Sequence, residues 1–314
     1  MRVKFWGVRG SIPAPLTPSA VREKIAGAIK RVRTADLASA GAREEFLSRL
    51  PSWLSGFAGG NTACIEVSLN SGEVILLDGG SGLREYGASP EFAAAFPGVF
   101  HIFFSHFHWD HLQGIPFFPP LYRQDAVLKF YSPAAGLRNM LKLQMKEPFF
   151  PVNFEGLSGA RTFFVRLKKS PCVVGGAEIA WKKMNHPGGC YAYRISEGGR
   201  SIIYATDSEL MEGDFERSAE NTAFFQDADM IILDAQYTLG EAVKKFNWGH
   251  SSFSLAVDFA SAWNIKNLWL FHHDPSYDDR KLDLNLHTAR GYYRHLGKSG
   301  MKIFLAEEGK EVYF

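Results

Sequence analysis

The sequence predicts an α/β fold, on three observations. From residue 59 onward, strand-like apolar runs alternate with segments of helical spacing. Some of these runs, such as EVILLD (73–78) and VFHIFF (99–104), are nearly continuous in apolar residues, as buried strands are. The second of them leads directly into SHFHWDHLQG (105–114), a dense group of chemically active side chains of the kind α/β sheets carry at strand ends.

The elements follow in chain order. MRVKFW opens as a short strand and turns at RGSIPAP (9–15). Residues 17–57 then change character: TPSAVREKIAGAIKRVR (17–33) and ASAGAREEFLSRL (38–50) have helical spacing, with Thr17 as cap and Pro18 in the first turn. ACIEVSL (63–69) alternates at period two, Asn70-Ser71-Gly72 turns the chain, and EVILLD and VFHIFF follow as strands. AAGLRNMLKLQM (134–145) reads as a helix, and AEIAWKKM (177–184), CYAYRI (190–195) and SIIYATD (201–207) as strands, the last two joined by the turn SEGGR. DMIILDA (229–235) and NLWLF (267–271) are strands, SFSLAVDFASAW (252–263) and LDLNLHTARGYYRHL (282–296) helices, and further strands close the chain. No repeat, low-complexity tract or linker interrupts this pattern. The expected organisation is one domain over 1–314 with a helical insertion at 17–57.

Composition narrows the function classes. Hydrophobic residues make up 46% and charged residues 22%, ordinary values for a globular protein. With 35 basic and 33 acidic residues the net charge is +2, and no clustered Lys/Arg excess marks a grip on a long polyanion. This disfavours a dedicated nucleic-acid binder and leaves small anions open. Cys64, Cys172 and Cys190 are scattered and form no CxxC pair, which fits a reducing cytoplasm. The N-terminus lacks a secretory pattern, and no run approaches the ~18 apolar residues of a membrane span.

The histidine group carries the chemistry. Of 10 histidines in the chain, His106, His108 and His111 fall within six positions, with Asp110 among them. Neutral imidazole and carboxylate are the common ligands of zinc-like cations. In a loop after a strand, His106 and His108 can face one ion, and Asp110 and His111, about one turn later, a second.

H-x-H-x-D-H after an apolar strand resembles the metallo-β-lactamase superfamily, and further motifs follow in that family's order: NHPGG with His186, YATDSE with Asp207, LFHHDP with His272. The resemblance implies an αββα four-layer sandwich of the metallo-β-lactamase type. It implies that His106, His108 and His186 hold one metal ion, Asp110, His111 and His272 a second, and that Asp207 bridges them. Read without it, His186 is equally a loop histidine before a proline, Asp207 a helix cap, and either His272 or His273 serves as the ligand. The cofactors implied are two divalent metal ions, zinc first, with manganese and iron accepted by the same ligands.

Within the superfamily, WGHSSF (248–253) and LDAQY (233–237) resemble elements of ribonuclease Z and its relatives, which implies His250 as general acid and Asp234 as the carboxylate that orients it. FWGVRGSIPAP, GGNTACIEV and HPGGCYAYRI resemble cyclic-nucleotide phosphodiesterase-like bacterial members. No basic, Gly-rich arm for gripping tRNA is present. The expected activity is therefore hydrolysis of a small anionic phosphodiester, such as a cyclic nucleotide, by a hydroxide that the two ions generate. A lactone or thioester hydrolase, a ribonuclease Z-like endonuclease and a non-catalytic metal-binding member are the alternatives. Asp78 in LLDGGSG is either the acceptor that fixes a ligand imidazole or a turn residue. Phe117, Phe118, Phe149, Phe150 and Phe154 either stack a base or pack locally, and Arg194 either meets phosphate or is structural. The basic helix over 19–33 is a solvated face, a cap over the site or a homodimer contact.

Overall fold

Alternation of side chains along each strand sets the layers. In the strand Arg200–Ala205, Ile202 and Tyr204 enter one core while Ile203 and Ala205 enter another. In Val74–Leu77, Ile75 and Leu77 share the first of these cores with Ile202 and Tyr204, and Leu76 faces a third. The shared core lies between two sheets, and the other two lie beneath helices on the outer faces. This is the αββα order expected from the sequence. The computed structural model describes residues 1–314 except 95, 97 and 158.

The strands are β1 (Arg2–Gly7), β2 (Cys64–Ser68), β3 (Val74–Leu77), β4 (Val99–Phe103), β5 (Val127–Ser132), β6 (Arg161–Arg166), β7 (Cys172–Val174), β8 (Ala177–Met184), β9 (Cys190–Glu197), β10 (Arg200–Ala205), β11 (Met230–Asp234), β12 (Asn267–Phe271), β13 (Lys302–Leu305) and β14 (Glu311–Tyr313). One sheet runs β14-β1-β2-β3-β4-β5-β6 and the other β13-β12-β11-β10-β9-β8-β7. Each is antiparallel at one side and parallel at the other: β3 to β6 are parallel neighbours in the first sheet, β10 to β13 in the second. The parallel strands β3, β4, β10, β11 and β12 release their C-terminal loops into the cleft that holds the histidine group. That is where open α/β sheets place ligands.

The helices read from the sequence form at Pro18–Ile29, Ala40–Arg49, Leu137–Gln144, Phe253–Ala262 and Asp279–His295. Thr17 caps the first by accepting from the Ala20 N–H, with Pro18 at its first position. Strands β5, β6 and β7 escaped the sequence reading. In β6 the apolar run Phe163–Val165 is short and the burial pattern mostly exposed, and its parallel pairing with β5 makes it a strand. Among the described residues no helix is long and apolar enough to cross a membrane.

Candidate metal centre

The loop after β4 builds the site's floor. His108 sits at the N-cap of the short turn Trp109–Leu112, which directs Asp110 and His111 inward, where both are buried. His106 is buried and His108 exposed. The two late loops bring His186, from the segment between β8 and β9, and Asp207, just beyond β10. His272 follows β12 directly. Asp207 and His272 hold left-handed φ angles of 47° and 60°. Such a backbone is costly for non-glycine residues and persists where the surroundings impose it.

Two sets of ligand atoms result, each within 4.8 Å of one another: His106, His108, His186 and Asp207, and Asp110, His111, Asp207 and His272. Asp207 belongs to both, and its two oxygens divide between them. Its Oδ1 lies 3.7 Å from His106 Nε2 and 3.8 Å from His186 Nε2. Its Oδ2 lies 3.1 Å from His111 Nε2 and 3.2 Å from His272 Nε2. Asp110 Oδ2 completes the second set at 3.2 Å from both His111 Nε2 and His272 Nε2.

The donors fit divalent cations. His106 Nε2 and His111 Nε2 are buried and have no hydrogen-bond partner among the described residues. Buried polar atoms are ordinarily satisfied, so orphans that converge on carboxylates mark a place for a ligand. Imidazole nitrogens with carboxylate oxygens are the donor set of zinc, manganese and iron. Electrostatics points the same way. Burial raises the Asp207 carboxyl, but His272, His111 and His106 more than compensate and hold it well below the carboxylate range. For His111, burial is outweighed by Asp110, Asp207 and Asp78, which keep its imidazole well above the usual value. The pocket is built for positive charge.

A second layer of contacts aims the nitrogens. Asp78, fully buried at φ 62°, accepts from the Ser105 N–H at 2.8 Å and, through Oδ2, from the Ser105 hydroxyl and the Tyr204 hydroxyl at 2.7 Å each. The same oxygen lies 2.8 Å from His111 Nδ1. With Nδ1–H donated to Asp78, the His111 Nε2 lone pair faces the cluster. The Ser105 hydroxyl, donating to Asp78, is left to accept from His106 Nδ1–H at 3.0 Å, which orients His106 likewise. His186 Nδ1–H donates to the Gly249 carbonyl at 3.0 Å. Gly249 has φ +89°, and a Cβ there would lie 2.1 Å from His186 Nδ1. Gly10 abuts His272 in the same way, with 2.4 Å between a built Cβ and the His272 Cε1. The next residue, Ser11, donates its backbone N–H to Asp110 Oδ2 at 2.7 Å.

His272 and His273 are separated by the structure. His272 faces Asp110 and Asp207, whereas His273 Nε2–H donates to the Ala306 carbonyl at 2.8 Å. Burial, reinforced by the nearby Arg9, pushes His273 down to about 3 and keeps it neutral. Next to the cluster, fully buried Asp234 at the end of β11 accepts from His250 Nδ1–H at 2.7 Å and from the Ser251 N–H at 3.0 Å. Burial opposes a charge on His250, yet Asp234 outweighs it and raises the imidazole above its ordinary value. His250 stacks on His272 with ring centroids 5.0 Å apart. Glu209 holds the preceding loop by accepting from the Asn247 and Gly249 N–H groups. A cleft of about 480 Å³ opens over this assembly, lined by Ser11, Phe107, His108, Trp109, Asp110, Asp207, His250 and His272.

Other sequence expectations resolve differently. Arg194 binds the carbonyls of Phe224 and Gln226 and the Ser201 hydroxyl, a structural role. Phe118 and Phe154 are buried in the outer core of the first sheet, Phe150 packs against it and stacks edge-on with Phe117, and Phe117 and Phe149 are exposed. The aromatic side chains that line the cleft are instead Phe107 and Trp109. In the helix over 19–33, Lys24 pairs with Asp279 at 2.7 Å and is tied to the chain's own surface. The sequence reading missed Ser105, Tyr204, Glu209, Gly10 and the Ser11 amide. Tyr204 had a signal, a hydroxyl-bearing ring in the aliphatic strand SIIYA. The Ser11 amide had none, because a backbone N–H leaves no mark on the sequence.

Comparison with known proteins places these features in context. Residues 73–273 match the family model of the beta-lactamase superfamily domain. Ribonuclease Z of Crocosphaera subtropica is 32% identical over 100 residues, which cover 31% of this chain and 30% of that protein. Matches to the curated relatives thus span less than a third of their length. The metallo-beta-lactamase fold protein YhfI from Bacillus subtilis superposes with a TM-score of 0.63 at 18% identity, over 99% of this chain and 98% of YhfI. A diphosphatase from the PhnP family does so with a TM-score of 0.63 at 17% identity, over 100% and 97%. At such identities the two structures establish the fold. The name ribonuclease Z also means that the expected exclusion of nucleic acid gains no support from the relatives.

Proposed function

The chain belongs to the beta-lactamase superfamily, and from that premise we propose that it is a dinuclear-metal-dependent hydrolase of small phosphodiesters, a cyclic nucleotide or a related ester. The observation that carries the reading is the division of the Asp207 oxygens between two ligand sets. His106, His108 and His186 would hold one ion, Asp110, His111 and His272 the other, and Asp207 would serve both. Two divalent cations so held, zinc in first place, would supply a water nucleophile at neutral pH and would offset charge on a phosphoryl group.

The chain's own residues do the rest. Asp78 and the Gly249 carbonyl keep His111 and His186 in the tautomer that presents Nε2. His250, with Nδ1–H engaged by Asp234, carries its second proton on Nε2 and donates it to the departing alkoxide. Asp234 raises the affinity of His250 for a proton, which favours that acid form. The names ribonuclease Z and diphosphatase among the relatives support phosphoryl chemistry over lactone or thioester hydrolysis. Among the described residues no Lys or Arg lines the cleft, which supports a small ester over a long RNA.

The test is metal analysis of protein purified without chelator, followed by a panel of an aryl phosphodiester, cyclic nucleotides, a precursor tRNA and lactones. About two equivalents of divalent metal and hydrolysis of the small phosphodiesters are expected. In His250→Ala, esters with poor leaving groups should slow far more than activated aryl esters, and equal slowing rejects the acid role. A folded, metal-replete protein that cleaves only lactones, or only RNA, overturns the reading.

A further inference from the structure

Trp109 is anomalous among the seven tryptophans of the chain. Trp6 packs edge-on against Tyr86, and Trp53 lies beneath the guanidinium groups of Arg31 and Arg280. Trp181 packs on the inter-sheet core, Lys245 sits over Trp248, and Trp263 and Trp269 are buried. Trp109 has no ring, cation or hydrogen-bond partner for its indole among the described residues, and it is 83% exposed, more than any other large hydrophobic side chain described. An indole has a large apolar face that ordinarily finds a partner, so one left open needs a reason.

Its position supplies the reason. Trp109 lies between His108 and Asp110, one from each ligand set, and lines the cleft that holds Asp207, His250 and His272. It begins the turn Trp109–Leu112, and its carbonyl accepts from the Gln113 N–H at 2.8 Å, so its backbone is held by the same turn that positions Asp110 and His111. An exposed, unpartnered indole on a backbone held by that turn therefore lines a cleft whose other lining residues, Phe107 apart, are polar. We propose that Trp109 is a stacking platform for the nucleobase of a nucleotide substrate whose phosphate lies at the ligand cluster. Stacking on an indole tolerates any base, because each presents a π-face. This makes the platform a determinant of substrate class, one that distinguishes nucleotides from sugar or alkyl phosphates, and not a reader of base identity. The choice of substrate rests on the phosphodiester reading above.

The test is equilibrium binding to the metal-loaded protein, by calorimetry, of adenosine 5′-monophosphate and ribose 5-phosphate, which share phosphate and sugar and differ by the base. The wild type should bind the nucleotide roughly 10- to 100-fold more tightly. Trp109→Ala should bring the two within about threefold of each other by weakening the nucleotide alone, and Trp109→Phe should keep most of the preference. An unaltered melting temperature in Trp109→Ala, expected for so exposed a side chain, shows that the fold is intact. A wild type without preference, or a preference that survives in Trp109→Ala, overturns the platform. So does a variant whose oligomeric state changes while its nucleotide affinity does not, which would make Trp109 a protein contact. A Trp109-dependent preference in a protein that hydrolyses no phosphodiester would leave the platform standing and remove the hydrolytic reading. Hydrolysis without the preference would do the reverse.

Discussion

The cleft and the 17–57 segment depart from ordinary packing in opposite directions. In the cleft, His106, Asp110, His111, His186, Asp207 and His272 are buried, Asp207 and His272 at left-handed φ, with the Nε2 atoms of His106 and His111 unpartnered among the described residues. In the segment, the helices Pro18–Ile29 and Ala40–Arg49 contain no fully buried side chain, while Val21, Ile25, Ile29, Leu37 and Leu47 are exposed. Polar groups inside are expensive and apolar groups outside are cheap. The cleft therefore has to be imposed by its surroundings, through Asp78, Ser105, Tyr204, Gly10 and Gly249, whereas the helices need only a tether. Leu54, packed over Gly27, and the Lys24–Asp279 pair are that tether. The lesson is that burial against chemical preference, with a supporting shell, sets the candidate site apart from an appendage.

Breaking the cleft at its shared residue should have the largest effect. Asp207→Ala removes an oxygen from each ligand set, so metal content should fall below one equivalent and phosphodiester turnover by about 10³-fold or more. Metal analysis with steady-state rates checks it. Retained metal and rate would make Asp207 a packing residue and erase the contrast. Gly10→Ala probes the supporting shell: its Cβ would meet the His272 ring, so metal affinity should drop roughly 10- to 100-fold, read by chelator competition.

A buried imidazole away from the cleft sharpens the comparison. His101 on β4 has the Tyr131 hydroxyl 3.0 Å from its Nδ1, and burial, with Lys129 nearby, lowers its affinity for protons below the ordinary 6.5. Below pH 6.5 the unfolded chain then binds the proton more readily than the folded one. This share of stability is complete above that pH and is lost as pH falls through the folded value. Urea unfolding from pH 7.5 to 5 should show a shallower loss in His101→Gln than in the wild type. The smallest effect belongs to the insertion. Ile25→Ser and Ile29→Ser should each change stability by no more than about 0.5 kcal/mol and leave turnover unchanged. A large loss in either would mean that the exposed row is covered by something in solution.

Much of this was legible along the chain because it is local. The spacing of His106, His108, Asp110 and His111 after an apolar strand, the cap at Thr17, and the turn at Gly198-Gly199 all depend on neighbours a few residues away. The late ligands were legible through their order along the chain and the family it resembles. From the residues alone His272 and His273 share every local signal; the resemblance selected His272, and in the structure its ring, at a left-handed turn, enters the cleft. The phenylalanines of 117–154 stay open between stacking a base and packing locally for the same reason: a string of aromatic letters does not say which ring faces the core, and Phe118 and Phe154 do.

The sequence by itself determined the alternation of strands and helices and the residue types able to hold cations, and the family it resembles implied the four layers. Only the tertiary structure decided that the Asp207 oxygens face two different sets, that Asp78, itself held by Ser105 and Tyr204, orients His111, and that Trp109 stands exposed at the cleft. The first two are contacts between loops released by strands far apart in the chain, and the third depends on what those loops leave uncovered. Such contacts are set by strand order and by the packing of one sheet on the other, and neither is written in any local stretch of residues.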